Sequence, residues 1–190
     1  VVNVAILQPP LVQDFEGSFI PTNWRRDNPD NGIPWQKTFT YSGAVFGNTH
    51  AAYMDFYNYS GKGQKDILES PFVDLSTVTN DSVIMVFDVS HARRFDSEDR
   101  LQVLMSDDCG LNWTPTSFDK GGSSLSSTVS SSTIFSPTIT AEWRNERIDL
   151  TAHKGKRVIF RFVGTNDNGN NLYLDNINII LKNGAPKKTF

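Results

Sequence analysis

The chain has 190 residues, 38% hydrophobic, 12% aromatic and 21% charged, with one cysteine and a formal net charge of −3. This length can bury a full core unaided, while the lone Cys109 excludes an intrachain disulfide and, with no C-x-x-C or Cys/His cluster, a structural zinc. The charge gives no basic footprint for nucleic acid, and no apolar run reaches the roughly 18 residues of a membrane-spanning helix.

Residues 1–10 start at Val1 without an initiator methionine and end in Pro9-Pro10, so they are expected to be a linker from a preceding part of a longer protein. Asp14-Phe15-Glu16-Gly17 opens the domain, with Phe15 aimed at the core and both carboxylates on the other side of a strand. Trp24 and Trp35 are expected in the core, with Arg25 and Arg26 in a solvated turn between them. In Ala52-Tyr53-Met54-Asp55-Phe56-Tyr57-Asn58-Tyr59, strand alternation places Tyr53, Asp55, Tyr57 and Tyr59 on one side. Such a face can stack on a sugar and bond its hydroxyls, or it can pack under a loop or against a second sheet.

Val83, Met85, Phe87 and Val89 lie in a run that is apolar on both faces over most of its length, which predicts a central strand. Leu101, Val103 and Met105 predict another, and Val158, Phe160 and Phe162 a third with Arg157 and Arg161 on its far side. Leu172, Leu174, Ile177, Ile179 and Leu181 predict a long last strand that changes face near Asp175, as a bulge would produce. Gly- and Asn-rich turns separate these runs at sandwich spacing. Residues 121–132 hold seven serines and are expected to be a surface loop, and 183–190 a C-terminal linker or tail. One domain, 11–182, remains.

Ser106-Asp107-Asp108-Cys109-Gly110-Leu111-Asn112-Trp113 fits Ser-x-Asp-x-Gly-x-x-Trp and resembles the Asp box of sialidases and other β-proteins. Its chemistry is that of a hairpin: Asp108 accepts backbone N–H groups across the turn, Gly110 takes a positive φ and Trp113 folds back over both. Catalytic motifs are scarce. His50, His91 and His153 form no H-E-x-x-H, Cys109 sits in a tight turn without a cue for a histidine partner, and neither a G-x-S-x-G elbow nor a phosphate loop occurs. The 21 acidic residues leave a glycosidase carboxylate pair open.

If the first and last strands are neighbours, Glu16 and Asp175 meet. Two carboxylates in one place repel, and a hard cation with oxygen ligands, Ca²⁺ before Mg²⁺, is the usual remedy. Asn48, in the loop Gly47-Asn48-Thr49-His50, is a candidate for a further ligand. The other reading makes Asp14 and Glu16 solvated strand ends and Asp175 the cap of a bulge.

A set of residues carries a family resemblance: Asp14-Phe15-Glu16-Gly17, Pro21-x-x-Trp24, Trp35, Ser70-Pro71, Val73-Asp74-Leu75-Ser76, Trp143, Ile148-Asp149-Leu150, Gly155-Lys156, Val158, Phe160 and Leu172-Tyr173-Leu174-Asp175-Asn176-Ile177. In this order they resemble the cleaved-adhesin and MAM-like (choice-of-anchor) domains of secreted Bacteroidetes proteins. Such modules occur in gingipain adhesin regions and downstream of pappalysin-like zinc metalloproteases. The resemblance covers about 11–182. It implies an all-β jelly-roll sandwich of two antiparallel sheets, of galactose-binding-like or concanavalin-like type, with a structural Ca²⁺ site to which Glu16 and Asp175, and more loosely Asp14, correspond. The family's last motif often reads Asp-Asp-Ile; here it is Asp175-Asn176-Ile177, one charge fewer. Animal MAM domains carry disulfides this chain cannot form, which points to the bacterial branch.

These readings converge on a monomeric, non-catalytic accessory module of a larger secreted or cell-surface protein, a protease in the family's pattern. Its partner is a glycan, a protein or a neighbouring domain of the same chain. A sandwich glycoside hydrolase and a ligand-free structural spacer are the alternatives.

Overall fold

The computed structural model describes residues 6–43, 47–79 and 82–182, so the tail expected at 183–190 lies outside the described residues. Among the described residues, thirteen strands fall into two sheets. The first is built on β12 (Arg157–Thr165). One edge of β12 pairs antiparallel with β9 (Arg100–Ser106), which carries β10 (Thr114–Gly121) beyond it. The other edge is shared in succession by β6 (Lys65–Glu69) and β7 (Phe72–Asp74), flanked by β3 (Arg25–Asp27) and β1 (Ile6–Leu7).

The second sheet repeats this plan on β13 (Leu172–Leu181). One edge pairs with β8 (Val83–His91) and, beyond it, β11 (Arg144–Asp149). The other is shared by β5 (Asn48–Met54), with β4 (Gln36–Tyr41) outside it, and by β2 (Leu11–Gln13). In both sheets a long, mostly buried strand is thus central, with apolar residues on both of its faces.

The expected alternation fills the core. Leu101, Val103, Phe160 and Phe162 of one sheet and Met85, Phe87, Leu172 and Leu174 of the other belong to one cluster with Trp24 and Trp35. Phe87 and Phe162 meet edge to face, centroids 5.7 Å apart. The face switch in β13 is a register shift between Asp175 and Asn178, with Asn176 at φ 51°, and it returns Ile177 and Ile179 to the core.

Four local expectations are corrected. Ile6–Leu7, inside the expected linker, pairs in parallel with Phe72 and Val73, because Leu7 has core to pack on. Arg25 and Arg26 lie in a strand rather than a turn, and Arg26 Nη1 donates to the Trp35 carbonyl at 2.8 Å. The strand expected through Phe15 ends at Gln13; Phe15 reaches the core through a turn at φ 55°, held by its N–H donating to Gln13 Oε1 at 2.7 Å. The serine-rich stretch is docked rather than free. Gly122–Leu125 makes one helical turn with Leu125 fully buried. Ser126 and Ser127 Oγ accept the N–H groups of Arg93 and His91 at 2.8 and 3.0 Å. Hydroxyls that supply hydrogen bonds to a strand make a polar segment compatible with burial.

Candidate functional site

The first site lies where β13 changes partners. β5 pairs with it over Leu172 to Leu174 and β2 over Ile177 to Ile179, leaving Asp175 in the gap. Residues 14–17, leaving β2, pass beside this gap. Glu16 turns to the start of β5, where it accepts from Thr49 Oγ1 at 2.6 Å, the His50 N–H at 2.8 Å and His50 Nδ1 at 2.8 Å. These bonds, led by His50 and Thr49, hold its carboxyl down at about 2. Asp14 Oδ1 accepts the Glu16 N–H at 3.2 Å.

Asp175 itself is fully buried. One oxygen accepts the Asn176 N–H at 2.7 Å and the other only a long bond of 3.4 Å from the Asn176 amide. Burial, and then the charges of Asp88, Glu16 and Asp14, push its carboxyl up to about 8. No ion pair reaches it among the described residues. The sequence-predicted acids therefore gather around one buried, uncompensated carboxyl group. Asn48 lies exposed at the start of β5, opposite Tyr41. Among the described residues no three His, Cys, Asp or Glu side chains converge into a metal cage.

The tyrosines do not share a face. β5 ends at Met54 and the chain turns, so alternation lapses after Tyr53. Tyr53 packs at a tilt against Tyr173, centroids 5.2 Å apart, in a small cluster with Phe135 and Trp143. Asp55 accepts the Asn58 N–H and amide. Tyr57 lies under the Arg94 guanidinium at 4.2 Å. Tyr59 is core, with its hydroxyl on Asp30 Oδ2 and 3.2 Å from Asp66 Oδ2. No sequence signal placed Asp30 or Asp66 there.

The Asp-box hairpin has the expected construction. Asp108 accepts the Asn112 N–H at 2.9 Å, Gly110 stands at φ 83°, and Trp113 Nε1 donates to the Gly110 carbonyl at 3.1 Å. Arg161 lies 3.9 Å over the Trp113 ring.

No protein-family model matches the sequence, and neither does any curated protein sequence. Solved structures do match it. The K1 cleaved adhesin domain of Lys-gingipain from Porphyromonas gingivalis W83 aligns over 90% of this chain and 98% of its own, with a TM-score of 0.59 and 21% identity. The fold is that of the cleaved adhesin domains. The K3 cleaved adhesin domain of the same protein aligns over 89% of this chain and 97% of its own, with a TM-score of 0.60 and 22% identity. The CBM22-1-GH10 modules of Clostridium thermocellum xylanase 10B, complexed with xylohexaose, match over 90% of this chain and 28% of that one, at a TM-score of 0.50 and 14% identity. The cleaved-adhesin resemblance read from the sequence is thereby borne out as a fold. No helix among the described residues is long and apolar enough to cross a membrane.

Proposed function

We propose that the chain is a non-catalytic binding module of a larger secreted or cell-surface protein, recognising a glycan or a protein, and carrying a structural calcium ion. The observation that supports the binding role most is the near end-to-end alignment with the cleaved adhesin domains, which 97–98% of their length shares with this chain. Such a module serves a parent enzyme, a protease in the pattern of the resemblance, by holding it to its target or by packing against its catalytic domain.

The calcium reading rests on Asp175. A buried carboxylate without a cation is costly, and a hard ion with oxygen ligands removes that cost. Asp14, Glu16, Asp175 and Asn48 are the proposed ligands, with His50 as the competitor for Glu16. The ion's part is to neutralise the acids in the gap and tie the 14–17 turn to β13.

A labelled preparation of the chain on a glycan array and on an array of purified extracellular proteins tests the binding role. Saturable, competable binding on either supports it. Blank results on both reduce the chain to a structural spacer.

A further inference from the structure

The β8–β9 connection carries three consecutive side chains, Arg94, Phe95 and Asp96, that make no ion pair or side-chain hydrogen bond among the described residues. Phe95 is 69% exposed although its backbone stands at φ 51°, an uncommon conformation for a bulky residue. Arg94 lies between two rings, 4.2 Å from the Tyr57 centroid and 5.4 Å from that of Phe95. Among the described residues its guanidinium has no carboxylate or hydrogen-bond acceptor, and its Nε is buried without a partner. The Asp96 carboxylate is likewise unpaired among the described residues. All three line a groove of about 300 Å³, closed on the other side by Asp167 and Lys62, which pair at 2.8 Å. Ser97 is 8% exposed, lines the same groove, and its Oγ has no partner.

The groove is rigid at its base. Asp99, fully buried immediately before β9, accepts the N–H groups of Asp167, Gly169 and Asn170 at 2.7, 3.2 and 2.8 Å, locking the 166–170 loop to the β8–β9 connection. Glu98 N–H donates to Asp167 Oδ2 at 2.9 Å, a second tie between the same loops. Preorganised loops lose little entropy when they take up a ligand.

We infer that this groove is a saccharide-binding site for neutral glycans, with Phe95 as the stacking platform, Arg94 as donor and Asp96 as acceptor to sugar hydroxyls. Two cations and two carboxylates line it, so it selects no net charge. An exposed ring face flanked by unspent donors and acceptors suits the C–H and O–H surfaces of a pyranose. The inference rests on the binding-module reading and assigns it a location and a ligand class.

Affinity electrophoresis against soluble arabinoxylan, β-1,4-galactan, mixed-linkage β-glucan, galactomannan and starch tests it. Wild type is expected to be retarded by at least one. Phe95→Ala should weaken that binding about tenfold or more, and Asp96→Asn, which leaves the platform in place, by a smaller factor. Melting temperatures serve as the control for folding. Retardation equal in wild type and both variants overturns the site while leaving the module reading intact. No retardation by any of the five overturns the saccharide assignment. The module reading falls as well only if protein ligands fail too.

Discussion

Asp175 and Asp88 share one register position of the β8–β13 ladder, two carboxylates directly opposed where the last strand bulges. They are not equivalent. Asp88 accepts the amides of Asn145 and Asn176 at 2.8 and 2.9 Å, whereas Asp175 has one good partner and full burial. Like charges at such a position destabilise a sheet unless something compensates.

Calcium is the proposed compensation, and its removal has a definite consequence. An ion held only by the native state stabilises it by about 2.7 kcal/mol at a hundredfold excess over Kd, or about 5–10 °C for a domain of this size. Melting in calcium should exceed melting in EDTA by that order. Asp175→Asn should abolish the difference and melt no lower than wild type in EDTA, since a neutral amide replaces a carboxyl that burial already keeps protonated without the ion. Equal melting of wild type in calcium and EDTA contradicts the site.

Asp66 predicts a pH dependence of its own. It is fully buried, its Oδ1 has no partner, and the single Tyr59 proton that lies between the two acids is spent on Asp30. Burial first of all pushes its carboxyl up to about 6. The native state therefore keeps a proton that the unfolded chain has already released. Stability falls as pH rises from about 4 to about 6, by up to about 3 kcal/mol, and this contribution is flat above that window. Urea unfolding across it should show a decline smaller in Asp66→Asn than in wild type by up to about 3 kcal/mol, the remainder belonging to Asp175, whose carboxyl is also pushed up.

The docking of the serine-rich segment separates two neighbouring positions. Leu125 is fully buried and Val129 is 82% exposed. Leu125→Ala should cost about 2–5 kcal/mol in chemical denaturation, and Val129→Ala no more than about 0.5 kcal/mol. Equal small effects would return the segment to a free loop.

At the Asp-box hairpin, Gly110 stands at φ 83°, where an added Cβ would meet the Trp113 ring at 3.5 Å, an ordinary contact. Gly110→Ala should cost about 1 kcal/mol from backbone conformation alone, read as a lowered denaturation midpoint with an unchanged slope.

Much of this architecture was legible because β8, β9, β12 and β13 obey the two-residue period and their apolar runs carry the core. The bulge was legible for the same reason: Leu174 and Ile177 cannot face one core without a register shift. The approach of Glu16 to the last strand followed from the pairing of β2 with β13. His50 was not legible as the partner of Glu16, since 34 residues separate them and one turn decides their meeting. The tyrosine face failed because periodicity says nothing about where a strand stops, and β5 stops at Met54. The serine segment failed because composition does not reveal which hydroxyls will find a backbone partner. Arg94, Phe95 and Asp96 belong to no periodic run or motif, so only the fold shows an exposed ring beside an unpaired guanidinium and carboxylate on one groove.

Binding without turnover of the ligand is what sets the proposed module apart from a hydrolase. Its most direct test is to incubate the purified chain with the neutral polysaccharides above, following retention and the release of reducing ends together over hours. The account predicts that at least one polysaccharide retains the chain and that its reducing ends stay at the level of the protein-free control. Steady growth of reducing ends, abolished by a carboxylate substitution, would contradict it and make the chain a hydrolase.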